Sequence, residues 1–159
     1  MLKDIFGTPK PLIGMVHLRP LPGAPRFAGD LEAAIAAAVE DARALEAGGI
    51  DALLVENYGD APFTPGPVDP ATVAAMAAAL RAVRAAVRIP PGVSVLKNDA
   101  RAALALSAVT RGRFVRVNIH AGVRVPPPRA RARRDAMARG SSRAMPTPRF
   151  AIGAPSGPT

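Results

Sequence analysis

The sequence contains no cysteine and no tryptophan, and aromatic residues make up only 4% of it. Without cysteine there is no disulfide and no thiolate metal site. Few aromatics leave few platforms on which nucleic-acid bases could stack. No stretch reaches the roughly 18 consecutive apolar residues of a membrane-spanning helix, and the opening Met1-Leu-Lys-Asp-Ile-Phe-Gly7 has no apolar signal core. The expectation is a cytoplasmic protein with no transmembrane segment. Leucine is absent from one region: all 12 leucines lie in the first 120 residues. Residues 121–159 hold 8 Arg, 7 Pro, 8 Ala, 4 Gly and 3 Ser, a composition that cannot bury a core.

The net charge of +9 would ordinarily point to nucleic acid or an anionic membrane. Its distribution changes that inference. Residues 1–120 hold 13 Lys plus Arg against 11 Asp plus Glu, a net of +2, whereas residues 121–159 hold 8 Arg against the single acid Asp135, a net of +7. The basicity belongs to a tail with no fold or aromatic pattern suited to RNA, so nucleic acid is not an expected partner. Function must be sought in the first 120 residues.

There the chain alternates between short apolar runs and longer amphipathic ones. Residues 11–18 read as a buried strand ending at His17, and a Pro/Gly-rich loop follows over residues 19–28. Asp30 caps a helix running to about Ala47, which Gly48-Gly49 ends. Residues 50–55 form a second strand ending in Glu56-Asn57, and residues 58–68 a long loop. Asp69-Pro70 opens a second helix, on which Val73, Met76, Leu80, Val83 and Val87 form one apolar stripe. Pro90-Pro91-Gly92 reads as a turn and residues 93–96 as a third strand, with Lys97-Asn98-Asp99 as its polar end. A short Ala-rich helix over residues 101–109 and a fourth strand over residues 114–119 complete the pattern. Four strands alternating with three helices predict an α/β fold with a parallel sheet. A doubly wound sheet and a (β/α)8 barrel both fit.

The reactive residues favour the barrel. His17, Glu56 with Asn57, Lys97 with Asn98 and Asp99, and Asn118 with His120 close four successive strands. In parallel α/β folds ligands bind at that edge, and barrel enzymes draw catalytic groups from several strand ends. His17, Glu56, Lys97 and Asn118 are therefore the candidate catalytic residues, and Asn57, Asn98, Asp99 and His120 the candidate substrate-binding ones. Structural roles compete for each. His17 could bond a neighbouring loop; Lys97 could pair with Glu56 or bind an anion; Asn98 or Asp99 could cap the next helix. The spacing of His17, Glu56, Asp99 and His120 is diagnostic of no metal, no glycine-rich phosphate loop is present, and the sequence names no cofactor.

These same residues carry a family resemblance. Pro11-Leu-Ile-Gly-Met-Val-His-Leu-Arg-Pro-Leu-Pro-Gly-Ala-Pro25 resembles the opening signature of the BtpA/SgcQ family, and Gly48-Gly-Ile-Asp-Ala-Leu-Leu-Val-Glu-Asn-Tyr-Gly-Asp-Ala-Pro-Phe63 its second motif. Thr72-Val-Ala-Ala-Met76, Gly92-Val-Ser-Val-Leu-Lys-Asn-Asp-Ala100 and Phe114-Val-Arg-Val-Asn118 follow in the family's order. The resemblance implies a (β/α)8 TIM-type barrel. It also implies membership of a family named for photosystem I biogenesis, with some members linked to sugar metabolism. Two functions are expected: from the resemblance, a factor for a membrane complex, peripheral to the membrane; from the strand-end residues, a barrel enzyme acting on a small sugar-like substrate, phosphorylated or not.

Past Asn118 the family pattern continues with a Thr-Asp-Gln-Gly-like segment and four more βα units, where this chain has Val125-Pro-Pro-Pro-Arg-Ala-Arg. A barrel of this type needs about 250 residues. The expected organisation is thus the first four βα units over residues 1–122, followed by a basic tail over residues 123–159. That tail is either an out-of-frame reading of a GC-rich gene or a native disordered extension, which the downstream DNA distinguishes. The isolated half is expected to be inactive and to self-associate through its open barrel edges.

Overall fold

Three aspartates set the helices. In the computed structural model, which describes residues 2–63 and 66–119, each long helix starts at an Asp whose carboxylate accepts a first-turn N–H. Asp30 accepts from Ala33 at 2.9 Å, Asp69 from Ala71 at 2.7 Å and Asp99 from Ala102 at 3.0 Å. Each bond satisfies a donor with no partner inside the helix, worth about 1 kcal/mol. The elements run α1 (Leu2–Phe6), β1 (Ile13–His17), α2 (Leu31–Ala47), β2 (Ala52–Glu56), a 3-10 turn (Tyr58–Asp60), α3 (Pro70–Ala86), β3 (Pro91–Ser94), α4 (Ala100–Thr110) and β4 (Phe114–Arg116). Among the described residues no helix is long and apolar enough to cross a membrane. His120 and the basic tail, residues 123–159, lie outside the described residues.

The four strands form one sheet in the order β1-β2-β3-β4, every pair parallel. Helices α2, α3 and α4 cover one face. On that side Val16, Leu53, Val55 and Val93 join Met76 and Leu80 in the buried core. Alanines at 34, 38 and 42 give α2 a flat buried stripe, α3 buries Met76, Leu80 and Val83, and Val87 just past its end is buried too, so four of the five residues of the predicted stripe lie in the core. Val73 is only partly buried against the core.

Because side chains alternate along a strand, the positions between these core residues point to the other face. Register aligns them into rows: Met15, Leu54, Gly92 and Phe114 in one, and His17, Glu56, Ser94 and Arg116 in the next. The first row is apolar. A side chain at Gly92 would collide with the Phe114 ring, so the glycine makes room for the phenylalanine beside it. Phe6 of α1 then packs edge-on against Phe114, ring centroids 5.1 Å apart. Helix α1, which sequence patterning does not predict, covers this end of the face.

The limits of β3 and β4 differ from expectation. Pro91 and Gly92 begin β3 rather than turning before it. Proline is tolerated there because the first strand position needs no N–H, and the Pro91 carbonyl accepts from Arg113 N at 2.8 Å. The strand stops at Ser94 because the Leu96 N–H is taken by the Asn57 side chain at 2.7 Å. Similarly, β4 pairs only through Arg116, since Ile119 N donates to the Asn98 side chain at 2.7 Å.

Candidate functional site

At the carboxyl end of the sheet the row His17–Glu56–Ser94–Arg116 crosses all four strands at one level. Glu56 is its centre, with a side chain only 4% exposed. A buried carboxylate needs charge and hydrogen-bond partners, and register supplies them. Oε1 accepts from Ser94 Oγ at 2.8 Å and from Arg116 Nη2 at 2.6 Å. Oε2 faces His17 Nε2 at 3.6 Å. His17 and Arg116 are nearly half exposed, at 45% and 44%. One buried carboxylate thus holds two accessible nitrogen-bearing side chains, one on each oxygen. Arg116 Nη2 also lies 3.5 Å from Asn118 Oδ1, which brings Asn118 to the same place.

The His17 ring is fixed from a second side. Tyr58 stacks on it, with centroids 4.4 Å apart and planes 18° from parallel, and Phe63 lies beyond at 6.3 Å. The turn that presents Tyr58 lies against the loop after β1: Leu18 N donates to the Glu56 carbonyl at 2.9 Å and Gly59 N to the Leu18 carbonyl at 3.0 Å. A Cβ on Gly59 would sit 2.5–2.6 Å from main-chain atoms of Leu18, Arg19 and Pro20. Only glycine permits that approach.

The remaining predicted residues separate from this row. Asn57, 1% exposed, accepts from Leu96 N at 2.7 Å and donates to Asp60 Oδ2 at 3.1 Å and to the Leu96 carbonyl at 3.4 Å. Asp60 in turn accepts from Leu21 N at 2.8 Å. Asn98, left-handed at φ 79°, bonds both main-chain groups of Ile119. Asp99 caps α4 and also accepts from Val68 N at 3.0 Å. These side chains form a belt tying the loops after the four strands to one another. The ion pair between Lys97 and Glu56 does not form. Since β3 ends at Ser94, Lys97 lies beyond the row, exposed and with no ion-pair partner among the described residues; Arg116 occupies the position expected of it. His120 is outside the described residues.

Ser94, Arg116 and Tyr58 are the members that strand-end reading misses. Period-two counting would have found two of them, since Arg116 shares a face with Phe114 and Ser94 with Gly92. Among the described residues no three His, Cys, Asp or Glu side chains cluster to hold a metal ion.

A sequence model of the BtpA family matches residues 8–129. The chain belongs to the BtpA family. An uncharacterized protein of Thermococcus kodakarensis is 49% identical over 114 residues, covering 72% of this chain and 43% of its own length. Photosystem I biogenesis protein BtpA of Synechocystis is 47% identical over 122 residues, covering 77% of this chain and 42% of that protein. A putative sgc region protein, SgcQ, of Escherichia coli is 40% identical over 117 residues, covering 72% and 43%. The chain therefore spans less than half the length of these BtpA-family relatives. No solved structure matches it.

Proposed function

We propose that this BtpA-family chain carries, over residues 1–122, the first four βα units of a (β/α)8 barrel. The row at its carboxyl edge would be the acid–base apparatus of an enzyme acting on a small sugar-like substrate. The strand order supports the barrel: a doubly wound sheet reverses direction beside its first strand, whereas these four strands run consecutively with one face free of the three long helices. The observation that carries the function is Glu56, buried and holding His17 on one oxygen and Arg116 on the other. In this reading His17 takes and returns the proton, Glu56 orients its ring, and Ser94 and Arg116 hold Glu56 in place. Asn118, beside Arg116, contacts substrate.

The test joins residues 1–119 to the carboxyl-terminal part of the Thermococcus kodakarensis relative and screens the product against neutral and phosphorylated sugars. Turnover that disappears in Glu56→Gln, with circular dichroism unchanged, is the expected result. Turnover unaffected by Glu56→Gln would remove the reading.

A second reading rests on the name of the Synechocystis relative, a photosystem I biogenesis protein. By it the chain is a cytoplasmic factor acting peripherally on a membrane complex, and the row serves binding rather than chemistry. In either case β1 and β4 are the sheet edges among the described residues, and Leu12 and Ile13 at the β1 edge are 62% and 38% exposed. Association of the isolated chain through those edges is expected. A sharp monomer peak on size-exclusion chromatography across a hundredfold concentration range would exclude it.

A further inference from the structure

The rim of the site sorts its charges by direction. Five carboxylates come from the strand ends and the loops after them, and each is engaged within the fold: Asp30 and Asp69 cap α2 and α3. Glu56 is held by Ser94 and Arg116, Asp60 by Leu21 N and the Asn57 amide, and Asp99 by Val68 N and Ala102 N. The nitrogen-bearing side chains face outward: Arg116 and His17 are nearly half exposed, and Lys97 is exposed on the neighbouring loop. Of the guanidinium nitrogens of Arg116, only Nη2 is engaged by the described residues. Its Nη1 and Nε donate to no described residue. The pairing with Glu56 removes much of the rotamer freedom an arginine normally loses on binding, so the fork is set in advance.

We propose that Arg116 is the anion anchor of this site, receiving the phosphate of a small phosphorylated molecule within reach of the His17 ring. The delocalised guanidinium charge suits a phosphate, to which Nη1 and Nε can each offer a charge-assisted N–H bond. The exposed edge of Tyr58, stacked on His17 and followed by Phe63, offers an apolar flank for the carbon skeleton that bears the phosphate. Barrel phosphate sites usually come from the seventh and eighth units; this one is carried by the fourth strand. The inference rests on the acid–base reading of the same row, because it assigns Arg116 to the ligand of the chemistry assigned to His17.

The full chain has two histidines, so ring-proton NMR reports on His17 once His120→Asn has identified the other signal. The probe is inorganic phosphate, titrated at constant ionic strength, with chloride and acetate as parallel arms. A saturable His17 shift with phosphate, weakened at least tenfold in Arg116→Met and less in Arg116→Lys, is expected. Because Arg116→Met leaves Glu56 unpaired, the double variant Glu56→Gln/Arg116→Met provides a neutral, foldable control and should show the same loss. Saturation that survives in both methionine variants, or a shift that chloride reproduces, would overturn the proposal. Acetate saturating as tightly as phosphate would overturn its assignment to phosphate. The two readings separate in Glu56→Gln alone. Phosphate binding retained while the joined barrel still turns over defeats the acid–base role and leaves the anchor standing. Turnover lost while phosphate ignores Arg116 does the reverse.

Discussion

Two sets of polar side chains close the strands of this sheet, and they differ in what their atoms are bonded to. Asn57, Asp60, Asn98 and Asp99 bond mostly to main chain, across gaps of 21 to 39 residues. Glu56, Ser94, Arg116 and His17 face one another, side chain to side chain. A belt of the first kind fixes loops but leaves few atoms for a ligand. A row of the second kind leaves nitrogen donors exposed at both ends. The polar residues that look most alike in the sequence, Glu56 and Asn57, are neighbours with opposite duties because successive residues point to opposite sides of a strand.

That contrast is broken most directly at Asn57. Asn57→Ala deprives the buried Leu96 N–H of its acceptor and Asp60 of its donor, at about 1–3 kcal/mol for each buried group left unsatisfied. We expect a loss of about 3 kcal/mol, read as a lowered urea midpoint. A cost under about 1 kcal/mol would mean that the belt is decoration. Next in size is Gly59→Ala. Its Cβ meets main chain rather than a movable side-chain end, and overpacking of that kind costs about 1–3 kcal/mol. It should also part Tyr58 from His17, so the ring-current shift of the His17 protons falls together with stability. Unchanged His17 shifts in a folded Gly59→Ala protein would show that the turn does not place the stack.

What the sequence discloses divides along the same line. The capping aspartates, the helix limit at Ala47 and the parallel strand-helix alternation depend on neighbours within four residues, so local pattern is enough. Glu56 and His17 are legible as strand ends. Arg116 and Ser94 are not, because their partner lies 60 and 38 residues away and only the register between strands brings them to it. Reading β3 as ending at Leu96 shifts its reactive end by two residues. That shift favours Lys97 over Ser94 and hides the row. Helix α1 is too short to show a period, and its contact of Phe6 on Phe114 joins the two ends of the described chain.

Within the row, Ser94→Ala sharpens the comparison at smaller scale. It removes one hydrogen bond to a buried charge, worth about 1.5–3 kcal/mol, while Arg116 still holds the same oxygen. An expected loss of about 1.5 kcal/mol should shrink in the Glu56→Gln background, giving a coupling energy in a double-mutant cycle. Additive losses would mean that Ser94 acts apart from Glu56.

Smallest of all should be Lys97→Ala. If Lys97 were the partner of Glu56, removing it would strand a buried carboxylate at about 3–5 kcal/mol. Since Arg116 holds that carboxylate and Lys97 is exposed beyond the end of β3, the change should stay within about 0.5 kcal/mol, as for surface substitutions generally. The same unfolding measurement therefore separates two arrangements of one charge cluster by several kcal/mol. A large loss at Lys97 with a small one at Ser94 would reverse the assignment, returning the buried carboxylate to the loop lysine and taking the row apart.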